Sequence, residues 1–266
     1  MSEQRGLNWL QGLAGSETLA GFPASIKVVD GVLGERAARF IAVVPDPGNP
    51  FPRARNGEVG LLEGWGLAKA VDEAIVADAA QAEKRVLVAV IDVPSQAYGR
   101  REEALGIHQA LAGAVDSYAR ARLAGHPVIG LLVGKAMSGA FLAHGYQAQR
   151  LIALNDPGVM VHAMGKAAAA RITLRSVEQL EQLAAEVPPM AYDLGSYASL
   201  GLLSERLAVG SCVEPTRADL ELVREHLIEA VRSIGKSTDL SGRLGGENRQ
   251  ASSRVRAMLR EQWSAR

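Results

Sequence analysis

The chain has 266 residues, 48% of them hydrophobic, and its 29 Lys plus Arg balance its 29 Asp plus Glu to a formal net charge of zero. That length buries a substantial core, and the charge balance offers nothing to recruit nucleic acid or an anionic membrane. Cys212 is the single cysteine, which excludes an internal disulfide and a Cys-based zinc site and points to a reducing, cytoplasmic setting. Residues Met1–Leu7 carry no signal-peptide pattern, and no apolar run approaches the length of a membrane span.

In chain order, residues 1–25 read as a peripheral arm with a short helix around Leu7–Leu13. Residues 26–34 and 39–45 are β-rich and suited to pairing. Residues 46–57 hold Pro47, Pro50 and Pro52 with Gly48 and Gly57, a loop composition. Residues 60–84 repeat apolar side chains at three- and four-residue steps (Leu61, Leu62, Trp65, Ala68, Val71, Ile75, Ala79), the period of a helix. Residues 85–93 form a central strand, 94–99 a loop at its C-terminal end, and 101–124 a long helix whose Glu102 and Glu103 suit the positive end of the helix dipole. The apolar run 127–133 predicts a buried strand, and 151–154 and 158–161 two short ones. Ser176 with Gln179 is a capping-box pattern for a helix over 177–186. Further helices are expected at 191–200, closed by Gly201, at 216–234 and at 254–263, with residues 202–209 leading to a last short strand. The stretch 235–253 is polar and Gly-rich, a mobile or partner-bound loop. The reading divides the chain into an arm (1–25), one α/β domain (26–234), and a flexible loop with a C-terminal helix (235–266).

The chemistry points to Gly134-Lys135-Ala136-Met137-Ser138-Gly139-Ala140, between the predicted strand and the helix that follows. A small-residue turn there leaves backbone N–H groups without partners, and fixed donors of this kind stabilise a developing oxyanion. Met137, Ser138, Gly139 and Ala140 are the candidate catalytic positions. Ligands of open α/β sheets sit beyond the carboxyl ends of the strands. The loop 94–99 lies there too, which makes Ser95, Gln96, Tyr98 and Gly99 candidate substrate contacts if the two strands are neighbours. His162, at a strand end, is a candidate contact or proton donor. The opposing structural readings are that Ser138 is merely small, that Gln96 and Tyr98 cap loop backbone, that His162 and His144 are structural hydrogen-bonders, and that Cys212 is an inert buried thiol.

Three blocks also carry a family resemblance. Val90-Ile91-Asp92-Val93-Pro94 … Gly99 … Glu102-Glu103 resembles the hydrophobic-Asp-Thr/Val-Pro-Gly … Pro-Gly … Glu strand and loop of the acyl-CoA carboxyltransferases. Gly134–Ala140 is similar to their second loop, Gly-Glu-Gly-Gly-Ser-Gly-Gly or Lys-Ala-Tyr-Gly-Gly-Ala. Leu200-Gly201-Leu202-Leu203-Ser204-Glu205 resembles their Leu-Gly-Ile-Ile-Asp-Glu. Residues 94–103, 142–148 and 161–166 resemble, within that group, the gamma subunits of biotin-independent malonate decarboxylases. The resemblance implies a crotonase-like ββα spiral in a single carboxyltransferase-type domain. It implies a homologous beta subunit as partner, an acyl carrier protein bearing a malonyl thioester on its prosthetic group, and an alpha subunit that loads it. The activity implied is carboxy-lyase chemistry, malonyl thioester to acetyl thioester plus CO2, with no cofactor bound by this chain. Ser95 stands where the biotin-dependent relatives have Gly, and no Ala-Met-Lys-Met biotinylation pattern occurs. The alternatives are a biotin-dependent carboxyltransferase subunit, a serine hydrolase using Ser138 with His144 or His162 as base, and a non-catalytic scaffold for the beta subunit.

Overall fold

The computed structural model describes residues 4–264. The elements in chain order are α1 (Arg5–Ala14), β1 (Ile26–Leu33), β2 (Arg36–Val43), α2 (Leu61–Ala77), β3 (Val86–Val93), α3 (Arg100–Ala104), α4 (Ile107–Leu123), β4 (Val128–Met137), α5 (Ser138–Ala143), β5 (Arg150–Leu154), β6 (Met160–His162), α6 (Lys166–Ile172), α7 (Val177–Glu186), α8 (Leu194–Ser199), β7 (Glu205–Leu207), α9 (Arg217–Ile234) and α10 (Gln250–Ser264). The sheet runs β1-β2-β3-β4-β5-β7, with β6 pairing the far end of β4. β1 and β2 are an antiparallel hairpin and the remaining pairings are parallel. Parallel strands need crossovers, and helices supply them. Val86–Ile91 are fully buried, as a central parallel strand covered on both faces must be. The helices form packed pairs over the sheet, α1 with α9 and α2 with α4.

Five departures from the sequence reading have identifiable physical causes. The helix expected to reach residue 84 stops at Ala77. Asp78 caps it, and the Asp78 carboxylate accepts from the Arg85 backbone N–H at 2.8 Å and from its guanidinium, folding 78–85 into a tight connection. The helix expected over 101–124 is two, α3 and α4, because Gly106 takes the left-handed φ of +84° between them. The strand expected to end at Val133 continues to Met137, where β6 pairs its last residues. The supposed peripheral arm contributes α1, whose Trp9, Leu10 and Leu13 lie in the main core, with Trp9 Nε1–H donating to the Cys212 carbonyl at 2.8 Å. Residues 235–249 are tied to the body as well. Arg243 donates to the carbonyls of Tyr146 and Ala148, Arg122 to that of Thr238, and Asn248 to the Ser199 hydroxyl. No helix among the described residues is long and apolar enough to cross a membrane.

Candidate functional site

Extending β4 to Met137 removes the loop between strand and helix. Met137 is still extended (φ −115°, ψ 142°), and Ser138, the first residue of α5, turns the chain in one step at φ +61°. A non-glycine residue in that region is strained by roughly 1–2 kcal/mol. Of the two related loop patterns, Lys-Ala-Tyr-Gly-Gly-Ala has Gly at the position of Ser138 and Gly-Glu-Gly-Gly-Ser-Gly-Gly has Ser, as this chain does, so a side chain is kept at a position whose backbone favours glycine. Ser138 and Gly139 are half-buried and reachable, whereas Met137 and Ala140 are buried. The N–H groups of the first helical turn have no partner inside the helix. Among the described residues the Ser138 hydroxyl makes no hydrogen bond, and the Gly139 N–H donates to Gln96 Oε1 at 3.1 Å.

Gln96 reaches this position because β3 and β4 are neighbours, which brings the loop after β3 over the start of α5. Its backbone is held by a short bridge to Val59: Val59 N–H donates to the Ser95 carbonyl at 3.0 Å and Ala97 N–H to the Val59 carbonyl at 2.8 Å. Ser95 Oγ donates to the Gln96 carbonyl at 3.1 Å. Tyr98 is exposed, and Gly99 caps α3. A Cβ on Gly99 would lie 2.6 Å from Glu102 Oε2 and 2.8 Å from Arg53 Nε, so only glycine lets these two groups close on the loop. A Cβ on Gly139 would lie 2.0 Å from Gln96 Oε1 and 3.5 Å from Leu111 Cδ1, so the amide and an apolar side chain both border the space at this glycine.

His162 is the ladder partner of Met137, but its ring is engaged elsewhere. It stacks on Tyr192 at 3.8 Å, its Nδ1 meets the backbone of Met164, and burial lowers its pKa. Met137 packs with Ala169, Leu180 and Tyr192, flanked by Met160, Met164 and Met190, in a small cluster of its own. A cavity of about 760 Å³ borders Leu180, Tyr192 and Met160, and its lining includes none of Ser138, Gly139 and Gln96. His144 is fully buried. Its Nε2 meets the Val90 carbonyl at 3.0 Å, its Nδ1 meets the Tyr118 hydroxyl at 3.1 Å, and burial lowers its pKa to about 4. Both imidazoles proposed as bases for Ser138 are thus committed to other partners. The Lys135 side chain is exposed, and the Lys135 backbone N–H donates to Asp92 Oδ1 at 3.0 Å, a carboxyl whose pKa is raised by burial. Arg101 lies 5.0 Å over the Phe51 ring. Cys212 is buried, and burial pushes its thiol up to about 11.

Residues 54–263 match the malonate decarboxylase gamma subunit family, MdcE. The chain belongs to that family. It is 72% identical to a chain of the Pseudomonas malonate decarboxylase hetero-tetramer solved in complex with coenzyme A, covering 98% of this gamma subunit and 100% of that chain at a TM-score of 0.95. It is 69% identical, over the same shares and at a TM-score of 0.92, to a chain of the Pseudomonas MdcD–MdcE hetero-dimer. A curated relative, the malonyl-S-ACP:biotin-protein carboxyltransferase MADD of Malonomonas rubra, is 31% identical over 226 residues, 81% of this chain and 75% of that protein. The transcarboxylase 12S shares the fold, with 18% identity and a TM-score of 0.62 over 85% of this gamma subunit and 40% of that chain. The crotonase-like, carboxyltransferase-type fold implied by the three sequence blocks is therefore the fold of this gamma subunit. Sequence reasoning found Gln96 and Gly139 separately and missed their bond. Its only signal is the adjacency of the two strands that carry these residues, which lie 43 positions apart in sequence.

Proposed function

We propose that this gamma subunit works with a homologous beta-type subunit to convert a malonyl thioester, carried on the prosthetic group of an acyl carrier protein, to the acetyl thioester and CO2. The observation that carries the reading is the one-step turn at Ser138, with a half-buried, strained serine beside the Gly139 N–H. In the reaction the Cα–carboxylate bond breaks, its electron pair delocalises onto the thioester oxygen, CO2 departs, and a proton is added at Cα. Two of the backbone N–H groups at Met137, Ser138, Gly139 and Ala140 would offset charge developing on substrate oxygen, one such donor contributing ~3 kcal/mol, with the Gly139 N–H acting through the Gln96 amide that accepts from it. The loop residues Ser95, Gln96, Tyr98 and Gly99 form the facing wall, with His162 behind Met137. Leu111 supplies an apolar surface, and loss of neutral CO2 is favoured where water is excluded. The Ser138 hydroxyl, which makes no hydrogen bond among the described residues, is available to a substrate carboxylate.

The relatives support the assembly: Pseudomonas chains 72% and 69% identical sit in a hetero-tetramer and a hetero-dimer, one with coenzyme A bound. So does α10, whose Val255, Met258, Leu259 and Trp263 recur at helical spacing and are all exposed. An amphipathic helix of this length is marginal without something to pack on. An alpha subunit that loads the carrier, a carbon–carbon lyase classification and a cytoplasmic location complete the proposal. The Malonomonas relative favours a second reading, carboxyl transfer to a biotin protein, in which avidin would abolish activity.

The test is malonyl-thioester decarboxylation by the reconstituted complex with Gly139→Val and Ser138→Ala. The valine side chain meets the mobile end of Gln96 rather than backbone, so assembly should survive size-exclusion chromatography. A fall of about a hundredfold or more in Gly139→Val, with assembly intact, supports donors at the turn. Unchanged turnover assigns the chemistry to the partner and leaves this chain a scaffold. Substantial activity in Ser138→Ala excludes a serine nucleophile.

A further inference from the structure

The Gly139 N–H is the donor that a substrate oxygen would be expected to meet, and a protein oxygen already accepts from it. Gln96 Oε1 takes that bond at 3.1 Å. The acceptor must be the amide oxygen, because a backbone N–H cannot donate to an NH2 group. The assignment fixes the other half of the carboxamide. Nε2 carries two N–H donors, and among the described residues neither has a protein acceptor. The backbone beneath is rigid, pinned on both sides of Gln96 by the Val59 bridge. The side chain is half-buried beside Leu111, in a setting where hydrogen bonds strengthen one another along a chain.

We propose that the Gln96 carboxamide relays the Gly139 donor outward, so that Gln96 Nε2–H is the group that touches the substrate, at its free carboxylate. This rests on the functional reading above and adds to it a specificity-determining residue. Of the nearby cations, Arg101 lies over Phe51 and Arg53 borders Gly99, while the Lys135 side chain is exposed. Neutrality suits the chemistry. A cation holding the carboxylate would stabilise the charged ground state more than the transition state that is shedding CO2, and so would slow the step. An amide orients the carboxylate through one or two hydrogen bonds and has little hold on neutral CO2. The product acetyl thioester lacks the carboxylate and makes no contact with Gln96.

The experiment measures KM and kcat for the malonyl-loaded carrier protein, and inhibition by the acetyl-loaded form, in complexes holding Gln96→Ala or Gln96→Glu. Loss of one hydrogen bond to a charged group predicts a rise in KM of about tenfold or more for Gln96→Ala, with acetyl inhibition unchanged. Gln96→Glu keeps the shape and the acceptor for Gly139 but sets carboxylate against carboxylate, and loses more. Wild-type or higher kcat/KM in Gln96→Ala overturns the proposal, since the amide would then be a removable plug. Equal shifts in KM and acetyl inhibition also overturn it, by making the effect structural. If Gln96→Ala fails to assemble, a wild-type KM in assembled Gln96→Glu has the same force. A dead Gly139→Val beside a fully active Gln96→Ala refutes the relay and leaves the site at the turn. Full activity in both refutes the functional reading itself.

Discussion

His144 makes the turn acid-labile. It caps the C-terminal end of α5, the helix that Ser138 opens, and it is completely buried. The Val90 carbonyl can only accept, so Nε2 holds the proton and Nδ1 accepts from Tyr118. Burial lowers its pKa to about 4, whereas an unfolded chain titrates its histidines near about 6.5. The folded pKa lies below the unfolded one, so the unfolded state takes up the proton first. The stability that neutral His144 contributes is intact above about pH 6.5 and is lost as the pH falls toward 4. Linkage between these two values gives a loss of about 2 kcal/mol between pH 7 and pH 5, or roughly 4–8 °C in Tm for a chain of this size. His126, whose pKa burial also lowers, acts in the same direction. The assay is thermal unfolding of the assembled complex at fixed protomer concentration from pH 7 to pH 5, wild type against His144→Gln. The glutamine variant starts lower but falls less steeply, with the His126 contribution remaining. Identical slopes, or an imidazole seen by NMR to titrate near pH 6.5 in the folded protein, would refute the reasoning.

Two further outcomes follow from buried polar contacts outside the site. Glu63 accepts from Ser25 Oγ at 2.6 Å, Asn49 Nδ2 at 2.7 Å and Gly60 N–H at 2.9 Å, which clamps the proline-rich loop to the start of α2. Glu63→Ala strands three buried donors and should destabilise by about 2–4 kcal/mol in chemical denaturation, and a loss under about 0.5 kcal/mol would show the clamp to be dispensable. Arg243→Ala should free residues 235–264 to early cleavage under limited proteolysis while the sheet stays protected, because Arg243 holds that segment to Tyr146 and Ala148; an unchanged cleavage pattern counts against that anchor.

Much of this was legible in the chain because it is local. The apolar run of β3, the capping box at Ser176 and the helical stripe of α2 announce themselves through neighbours a few residues apart, and the structure has them. The single-domain fold was legible through three motif blocks that keep their order. What escaped depends on contacts distant in sequence or on one torsion angle. Gly106 ends α3 by a left-handed φ that no apolar period signals. β4 runs on to Met137 because β6 arrives to pair it. The polar stretch after α9 looked mobile, yet Arg243 finds carbonyls 97 and 95 residues away. The site divided in the same way: both loops were visible, but their joining through Gln96 and Gly139 needed the strand order.

The geometry also argues that the chain holds half of a site. Decarboxylation gains from a dry enclosure, yet Ser138 and Gly139 remain partly open and Tyr98 in the facing loop is 53% exposed. Leu142, one helical turn beyond Ser138, and Leu105, at the end of α3, are 49% and 57% exposed. Exposed apolar side chains on the elements that carry the turn and its facing loop are surfaces a partner can cover. They become useful once a second surface covers them, because that surface excludes water and can bring donors for the other end of the substrate. Under the proposed function the strain at Ser138 and the open rim have one use, a turn whose donors come into play when a partner covers it.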